Sequence, residues 1–253
     1  MKKIIVLLSF VGVLTGCVTK NVAPDANILR VGVSPHSQPL VFKQGGVISG
    51  IEADFAKKLG LALNRQIVFI EVPWEKQIDY LEQNKTDIIM SGMTITGARS
   101  ILINFSTPYM QSGMTGLFRR NAYEPSGLIA STIINQSKKI GCVEGTTGEY
   151  FVLQHFARSD KKMYNSSTAA ASALKEGRID MFIHDAPIIW WLSAVNEQDL
   201  VAFPDVLSVE PLAWGVRKSD LALLDQVNAL LAQWNNDGSR QRIIENWIPN
   251  FSR

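Results

Sequence analysis

Hydrophobic and polar positions alternate along this chain with two periods. Leu29-Arg-Val-Gly-Val33 is a short apolar run that reads as a strand, and it leads into a loop containing Pro35 and Pro39. Ile51, Phe55 and Leu59 then recur every fourth residue, which predicts a helix with one apolar stripe. Residues 66–72 are β-branched and strand-like, and Pro73 ends them. A helix through Ile78 and Leu81 follows, and then an apolar strand over residues 87–90. This order predicts parallel strands with helices packed on both faces. In such sheets ligands bind beyond the carboxyl ends of the strands, where residues 91–96 fall.

A second, similar series begins near residue 120. Residues 139–143 form a strand, and Glu144-Gly-Thr-Thr-Gly148 a tight turn. Thr146-x-x-Glu149 fits a capping box for a helix over 150–157. Ser167 or Thr168 starts a helix over 169–176, which Gly177 ends. Residues 178–183 read as a strand, after which His184-Asp185 lead into the helical run Ala186-Pro-Ile-Ile-Trp-Trp191. The segment 221–234 is strongly amphipathic through Leu224, Val227, Leu231 and Trp234, and Asp237-Gly238 stops it. A final helix includes Ile243, Ile244 and Trp247. The chain is therefore α/β, built from two units whose loops lie at strand ends.

The amino-terminal pattern is different. Lys2 and Lys3 precede an apolar run over residues 4–14 that closes on Leu14-Thr-Gly-Cys17. A charged start, a short apolar segment and small residues before a break describe a secretory signal peptide, here residues 1–16. The run is too short to span a bilayer, which takes about 20 residues as a helix. Leu14-Thr-Gly-Cys17 also resembles the bacterial lipoprotein signal, which implies that Cys17 is the lipid attachment site. Residues 17–27 are then a tether, and Val18 favours outer-membrane retention. An ordinary cleaved signal with an incidental Cys17 is the plainer alternative. Either way the protein is expected to be exported. With the lipid it is anchored to the cell envelope, facing the periplasm or the outer surface. No second apolar run reaches membrane-spanning length.

Composition narrows the classes. The chain has 253 residues and a net charge of +2, which argues against a nucleic-acid partner. Once Cys17 is acylated, Cys142 is the other cysteine, in the apolar strand Ile140-Gly-Cys-Val143, where it reads as a small buried hydrophobe. The mature chain has no internal disulfide to make and depends on its core, for which about 235 residues suffice. No His-Glu-x-x-His, no Gly-x-Ser-x-Gly and no phosphate-binding glycine loop appears, so neither a metal nor a cofactor is expected.

The candidate chemistry concentrates in Ser91-Gly-Met-Thr-Ile-Thr-Gly-Ala-Arg99, followed by Phe105-Ser-Thr-Pro-Tyr109. Threonine hydroxyls, free backbone N–H groups and a guanidinium within nine residues suit a small carboxylate. A helix cap followed by a surface arginine is the plainer reading. Asp185 is likewise either a ligand for a cation or an N-cap ahead of Pro187.

Together these segments resemble a known family. Gly50-Ile-Glu-Ala-Asp54, Ser91-Gly-Met-Thr-Ile-Thr-x-x-Arg99, Phe105-Ser-x-Pro-Tyr109, Glu144-Gly-Thr-Thr-Gly148, Leu174-x-x-Gly-Arg-Ile-Asp180, Asp185-Ala-Pro187 and the Asp237-Gly238 helix pair occur in the order and spacing of the family 3 periplasmic solute-binding proteins, the polar amino-acid receptors of ABC importers. The resemblance covers residues 29–247 and implies a two-lobe Venus-flytrap fold of the type 2 periplasmic binding proteins, each lobe a mixed sheet flanked by helices. Lobe 1 is expected over residues 28–114 and 211–253, and lobe 2 over 115–210, with crossings near 114–119 and 207–212. Arg99 would take the α-carboxylate of an amino acid, helped by the Thr94 hydroxyl and the N–H groups of Thr94 and Thr147. Asp185 would take the α-ammonium, helped by the backbone carbonyl of Gly92 or Ser91. The implied partners are a small amino acid, an ABC permease and the membrane through the lipid anchor, and the protein is expected to be a monomer.

Side-chain specificity departs from the family pattern. Members taking basic amino acids or glutamine usually carry an aspartate and an aromatic in the first loop, where this chain has Ser34 and Ser37. Trp74 occupies the aligned aromatic position as a pocket wall or a core residue, and Glu52 is expected to serve the framework. Without an acid at position 34 a neutral or polar amino acid is expected. His36, His184 and Phe42 are candidates for tuning the pocket. Two rival functions share the fold: a periplasmic cyclohexadienyl dehydratase acting on arogenate or prephenate, with Glu144 as its acid, and a sensor or adhesion lipoprotein.

Overall fold

The computed structural model describes residues 27–123 and 138–249. The signal segment, Cys17 and nearly all of the tether lie outside the described residues.

Two five-stranded sheets share one plan. In the first, the spatial order is Gln66–Glu71, Ile28–Val33, Ile88–Ile89, Gly215–Val216 and Asn104–Phe105. In the second it is Asp160–Tyr164, Lys139–Val143, Met181–Asp185, Met114–Arg119 and Leu200–Ala202. Each begins with parallel pairs and continues with antiparallel ones. The purely parallel arrangement suggested by strand–helix alternation therefore holds for four strands of each sheet and fails for the fourth in spatial order, Gly215–Val216 in the first and Met114–Arg119 in the second. These two strands enter their sheets from the opposite end, a connectivity that periodicity does not encode.

Between the sheets, Met110–Ser112 pairs antiparallel with Glu210–Leu212. Residues 114–119, expected as a crossing, are instead a strand of the second sheet, and the linking ribbon lies just before it. The ribbon extends the first sheet's reach, because Thr94 bridges to Leu212 and the Ile95 N–H donates to the Pro211 carbonyl at 3.0 Å.

Local capping explains where the helices begin. Thr146 accepts the Glu149 N–H, so helix Thr147–His155 starts three residues earlier than the apolar pattern suggested. The Glu149 carboxylate reaches past Thr146 and accepts the Gly145 N–H at 2.7 Å, which stiffens the whole turn. Helix Ser167–Lys175 is capped by Ser166, not by Ser167 or Thr168. That leaves the Ser167 hydroxyl free to donate to the His36 carbonyl at 3.0 Å, from one sheet's surroundings to the other's. The Cys142 thiol is buried, and desolvation pushes it up to about 12, in keeping with a packing role.

The core of the first unit is aromatic, with a charge at its centre. Phe55 on helix Ile51–Leu63 meets Tyr109 and Trp214 edge-on at 5.5 and 5.4 Å, and Trp234 of helix Leu221–Asn236 stacks on Phe55 at 6.2 Å. Glu52 lies among them, fully buried. Its Oε1 accepts the Gly92 N–H at 2.6 Å and the Tyr109 hydroxyl at 2.8 Å, and Oε2 accepts the Trp214 indole N–H at 2.8 Å. Burial raises the Glu52 carboxyl from 4.5 to about 7, against the pull of these three donors.

A raised acid binds its proton more tightly in the folded chain than in the unfolded one. Its contribution is therefore complete below pH 4.5 and is lost as pH rises towards 7. Urea titrations at pH 5 and pH 8 should show wild type losing on the order of 3 kcal/mol more than Glu52→Gln over that interval. Equal losses in both proteins would show that Glu52 does not titrate in the core.

Candidate functional site

A cavity of about 850 Å³ lies between the two sheets, at the carboxyl ends of the first parallel strands. Ser34, Ser37, Trp74, Ser91, Gly92, Thr94, Arg99, Thr147 and Asp185 all line it, as do His36, His184 and Glu144. Phe42 does not. Its ring packs against Trp191 at 6.3 Å and Trp247 at 5.5 Å, away from the cavity.

The first wall is built by loops that leave neighbouring strands. The Ser34 N–H, after Ile28–Val33, donates to the Ser91 hydroxyl, after Ile88–Ile89, at 2.8 Å. Gly92 has φ +68°, and a Cβ there would stand 2.6 Å from Leu40 Cδ1, so both conformation and space call for glycine. With its N–H committed to Glu52, the turn is held from behind by the buried carboxylate. Thr96 caps helix Gly97–Leu102 by accepting the Arg99 N–H at 3.2 Å. The cap thus belongs to Thr96, and the Arg99 side chain turns into the cavity.

Arg99 divides its fork between the two units. Nη1 donates to the Thr94 carbonyl at 3.0 Å and Nη2 to the Gly145 carbonyl at 3.4 Å. The guanidinium carbon lies 5.3 Å from the Trp74 ring centroid, a cation–π placement. Burial pulls the guanidinium below its ordinary value, while the charge of Asp185 opposes that pull, with Tyr150 and Glu210 adding to it. Arg99 stays cationic throughout the physiological range.

Across the cavity, Met181–Asp185 delivers His184 and Asp185, both buried. Asp185 occupies the N-cap position of helix Ala186–Val195 but makes no side-chain cap bond. Its Oδ2 lies 3.0 Å from His184 Nδ1, and that same nitrogen faces the Asp185 N–H at 2.7 Å. A ring nitrogen holds either one proton or one lone pair, so it satisfies one of these contacts at a time. Oδ1 accepts no hydrogen bond among the described residues although it is buried. This carboxylate is short of donors in a place where an unpaired charge costs several kcal/mol, of order 3–5.

Two further contacts join the walls directly. The Trp74 indole N–H donates to the Gly145 carbonyl at 2.9 Å, and the Thr94 and Thr147 hydroxyls face each other at 3.4 Å. Trp74 therefore stacks on Arg99 and holds the opposite turn at once, a double role that the sequence did not suggest.

Glu210 escaped sequence reasoning altogether. It sits on the linking ribbon opposite Ser112, and its Oε1 accepts the Ser208 hydroxyl at 3.1 Å. Burial lifts its carboxyl above the usual range; Ser208 opposes the shift, Asp185 reinforces it, and the Thr94 hydroxyl and Arg99 oppose it again. Nothing in the surrounding Ser-Val-Glu-Pro-Leu marks it, because its neighbours are more than a hundred residues away in Thr94 and Arg99.

Comparison with known proteins places the chain in context. The profile of the bacterial extracellular solute-binding proteins, family 3, matches residues 29–250. The L-cystine-binding protein of Escherichia coli (strain K12) is 26% identical over 229 residues, covering 90% of this chain and 85% of that protein. Among solved structures, the binding component of an ABC transporter from Wolinella succinogenes, complexed with lysine, superposes with a TM-score of 0.84 at 29% identity, over 88% of this chain and 97% of that one. An ancestral amino acid-binding protein, a precursor of cyclohexadienyl dehydratase, gives 0.80 at 30% identity, over 87% and 95%.

The indole contact yields a direct test. Trp74→Phe keeps a flat ring beside Arg99 but removes the donor to Gly145. One lost hydrogen bond of about 0.5–1.5 kcal/mol should depopulate the closed form roughly 2- to 12-fold. Small-angle scattering of the unliganded protein should then give a larger radius of gyration than wild type. An unchanged radius would show that the indole bond does not hold the walls together.

Proposed function

The chain belongs to the bacterial extracellular solute-binding proteins, family 3, and from that premise we propose that it captures a small amino acid in the cavity and hands it to an ABC permease. The observation that carries this reading is the pairing of Arg99 from one unit with Asp185 from the other, lining one cavity, with Asp185 Oδ1 unpartnered. A zwitterion taken from water needs both of its charges matched, because an isolated buried charge is expensive. The Arg99 fork takes the α-carboxylate, with the Thr94 hydroxyl and the N–H groups of Thr94 and Thr147 beside it. Asp185 takes the α-ammonium, with the Ser91 or Gly92 carbonyl as a second acceptor. Ser34, Ser37 and Trp74 meet the side chain.

In this reading residues 28–114 and 211–253 form lobe 1, residues 115–210 form lobe 2, and the ribbon at 110–112 and 210–212 is the hinge. Ligand contacts from both lobes exist only when the cleft is shut, so binding and closure are coupled. Export through residues 1–16 and acylation of Cys17 would hold a monomer at the envelope within reach of its permease.

Binding without turnover is favoured by the placement of Glu144. A dehydratase needs a proton donor desolvated against the leaving hydroxyl. Glu144 is exposed at the edge of the cavity. The family likeness includes a precursor of cyclohexadienyl dehydratase, so the enzyme is the rival to exclude. Incubation with prephenate should release no phenylpyruvate by ultraviolet absorbance; its appearance would make the protein an enzyme.

Two results are expected for the receptor. A thermal-shift screen of the twenty amino acids should find a stabilising ligand, worth about 2.7 kcal/mol at a hundredfold excess over Kd. Arg99→Ala should keep its circular dichroism spectrum and lose about 2–5 kcal/mol of binding free energy by calorimetry. Unchanged affinity would remove Arg99 from the site.

A further inference from the structure

His184 and Asp185 form a buried pair on the cavity wall whose hydrogen bonding is incomplete. The Asp185 N–H donates to His184 Nδ1 at 2.7 Å, and Asp185 Oδ2 lies 3.0 Å from the same nitrogen. While Nδ1 accepts the N–H it carries a lone pair, so it meets Oδ2 as one acceptor facing another, with no proton between them. Asp185 Oδ1, also buried, accepts nothing among the described residues. The Phe182 ring packs edge-on against the imidazole at 5.6 Å and holds it against the carboxylate.

Two cations can complete this arrangement. One is a ligand ammonium, which donates to the carboxylate oxygens. The other is a proton on Nδ1. The ring then becomes imidazolium, donates to Oδ2 in a charge-assisted bond, and leaves the Asp185 N–H without its acceptor. Each neutralises Asp185, and an imidazolium there also repels an ammonium, so the two compete for one carboxylate.

We infer that His184 is a positioning residue that makes amino-acid capture depend on pH: the neutral imidazole leaves Asp185 charged for the α-ammonium, and the imidazolium takes the ammonium's place. The inference rests on the amino-acid reading of the site. The exchange balances simply: the ammonium enters, the Nδ1–H bond breaks, and its proton passes to solvent. A ligand that expels a proton is by linkage weakened by protons, so affinity rises with pH across the imidazole range. The receptor holds its amino acid at neutral pH and lets it go in acid.

The groups packed around the pair define the controls. Strand Met114–Arg119 sets Thr115 and Met114 opposite His184 and Asp185, and helix Ala186–Val195 has no ionisable side chain. Strand Lys139–Val143 has its lysine at the far end, beside Asp180, and its thiol is pushed up to about 12. On helix Thr147–His155, Glu149 accepts the Gly145 N–H, Tyr150 is exposed, and His155 packs on Phe151 at 4.5 Å. Lys175 of helix Ser167–Lys175 pairs with Asp199 at 3.0 Å, and Glu144 is exposed at the cavity edge. Across the cavity the Asp185 charge reaches Arg99, Tyr109 and Glu210, and Glu52 stands behind Gly92. Burial raises the carboxyls of Glu52 and Glu210, so these two acids are the rival sources of a pH response.

The test is calorimetry on the full-length protein. The probe is the tightest-binding of the amino acids whose own charge is constant from pH 5.5 to 8, which leaves out histidine and cysteine. Wild-type affinity should fall about tenfold between pH 8 and pH 5.5. At pH 6.5, titrations in phosphate and in Tris, whose ionisation enthalpies differ, should report release of roughly half a proton or more per amino acid bound. His184→Asn offers an amide oxygen near the place of Nδ1 and cannot titrate; its affinities at the two pH values should agree within about twofold, with no proton released. His184→Gln serves in its place if the asparagine variant does not fold. Glu52→Gln and Glu210→Gln should each keep the wild-type ratio. A pH-independent wild type, proton uptake, or an acid loss that persists without His184 overturns the inference, as does a ratio abolished by either glutamate change. If binding is flat with pH yet Arg99→Ala removes it, the receptor reading stands and the inference falls. If none of these amino acids binds wild type, both fall.

Discussion

A single buried carboxylate organises the first unit. Glu52 has no solvent access, and it satisfies a donor from each of three segments far apart in the chain: the Gly92 turn, Tyr109 before the linking ribbon, and Trp214 after it. These are the segments that a discontinuous unit must bring back into register. A purely apolar core would hold them by packing, without fixing which backbone N–H faces inward. Three directed hydrogen bonds fix it, and the aromatic rings around them supply the burial. The cost is a carboxyl whose ionisation is strained by its surroundings.

From that anchor the site is assembled outwards. Gly92 is pinned from behind by Glu52, Ser91 is tied to Ser34, and Thr94 to Arg99 runs along the resulting edge. The second unit answers with a turn stiffened by Thr146 and Glu149, and with a strand that ends on Asp185, whose Oδ1 has no donor among the described residues. Opposite charges held on separate bodies are chemically incomplete until something spans them. The linking ribbon, with Glu210 at its start, lies within the field of both.

The two walls attract and repel at nearly the same spot. Trp74 donates to Gly145, and the residues next to each are exposed glutamates whose side chains have no partner among the described residues. A neutral hydrogen bond contributes about 1 kcal/mol net, and exposed charge repulsion is of similar size. The balance of such a cleft is therefore small before a ligand enters, which makes closure sensitive to what the ligand carries.

Much of this was legible in the residues themselves. Strand and helix alternation, the Thr146 cap and the amphipathic helix through Trp234 follow from local periodicity and backbone chemistry, which act over a few neighbouring positions. Arg99 and Thr94 stood out as candidates because hydroxyls, amides and a guanidinium cluster after one strand, whereas Thr147, and Asp185 as a ligand in place of an N-cap, came from the family resemblance. What required the folded chain were the antiparallel strands at 215–216 and 114–119, the ribbon strand at 110–112 that pairs with 210–212 just ahead of the crossing expected at 114–119, the Trp74–Gly145 contact and the presence of Glu210 beside Arg99. Each joins residues tens to more than a hundred positions apart. Their meeting depends on chain connectivity and on packing of whole units, and no local propensity records either.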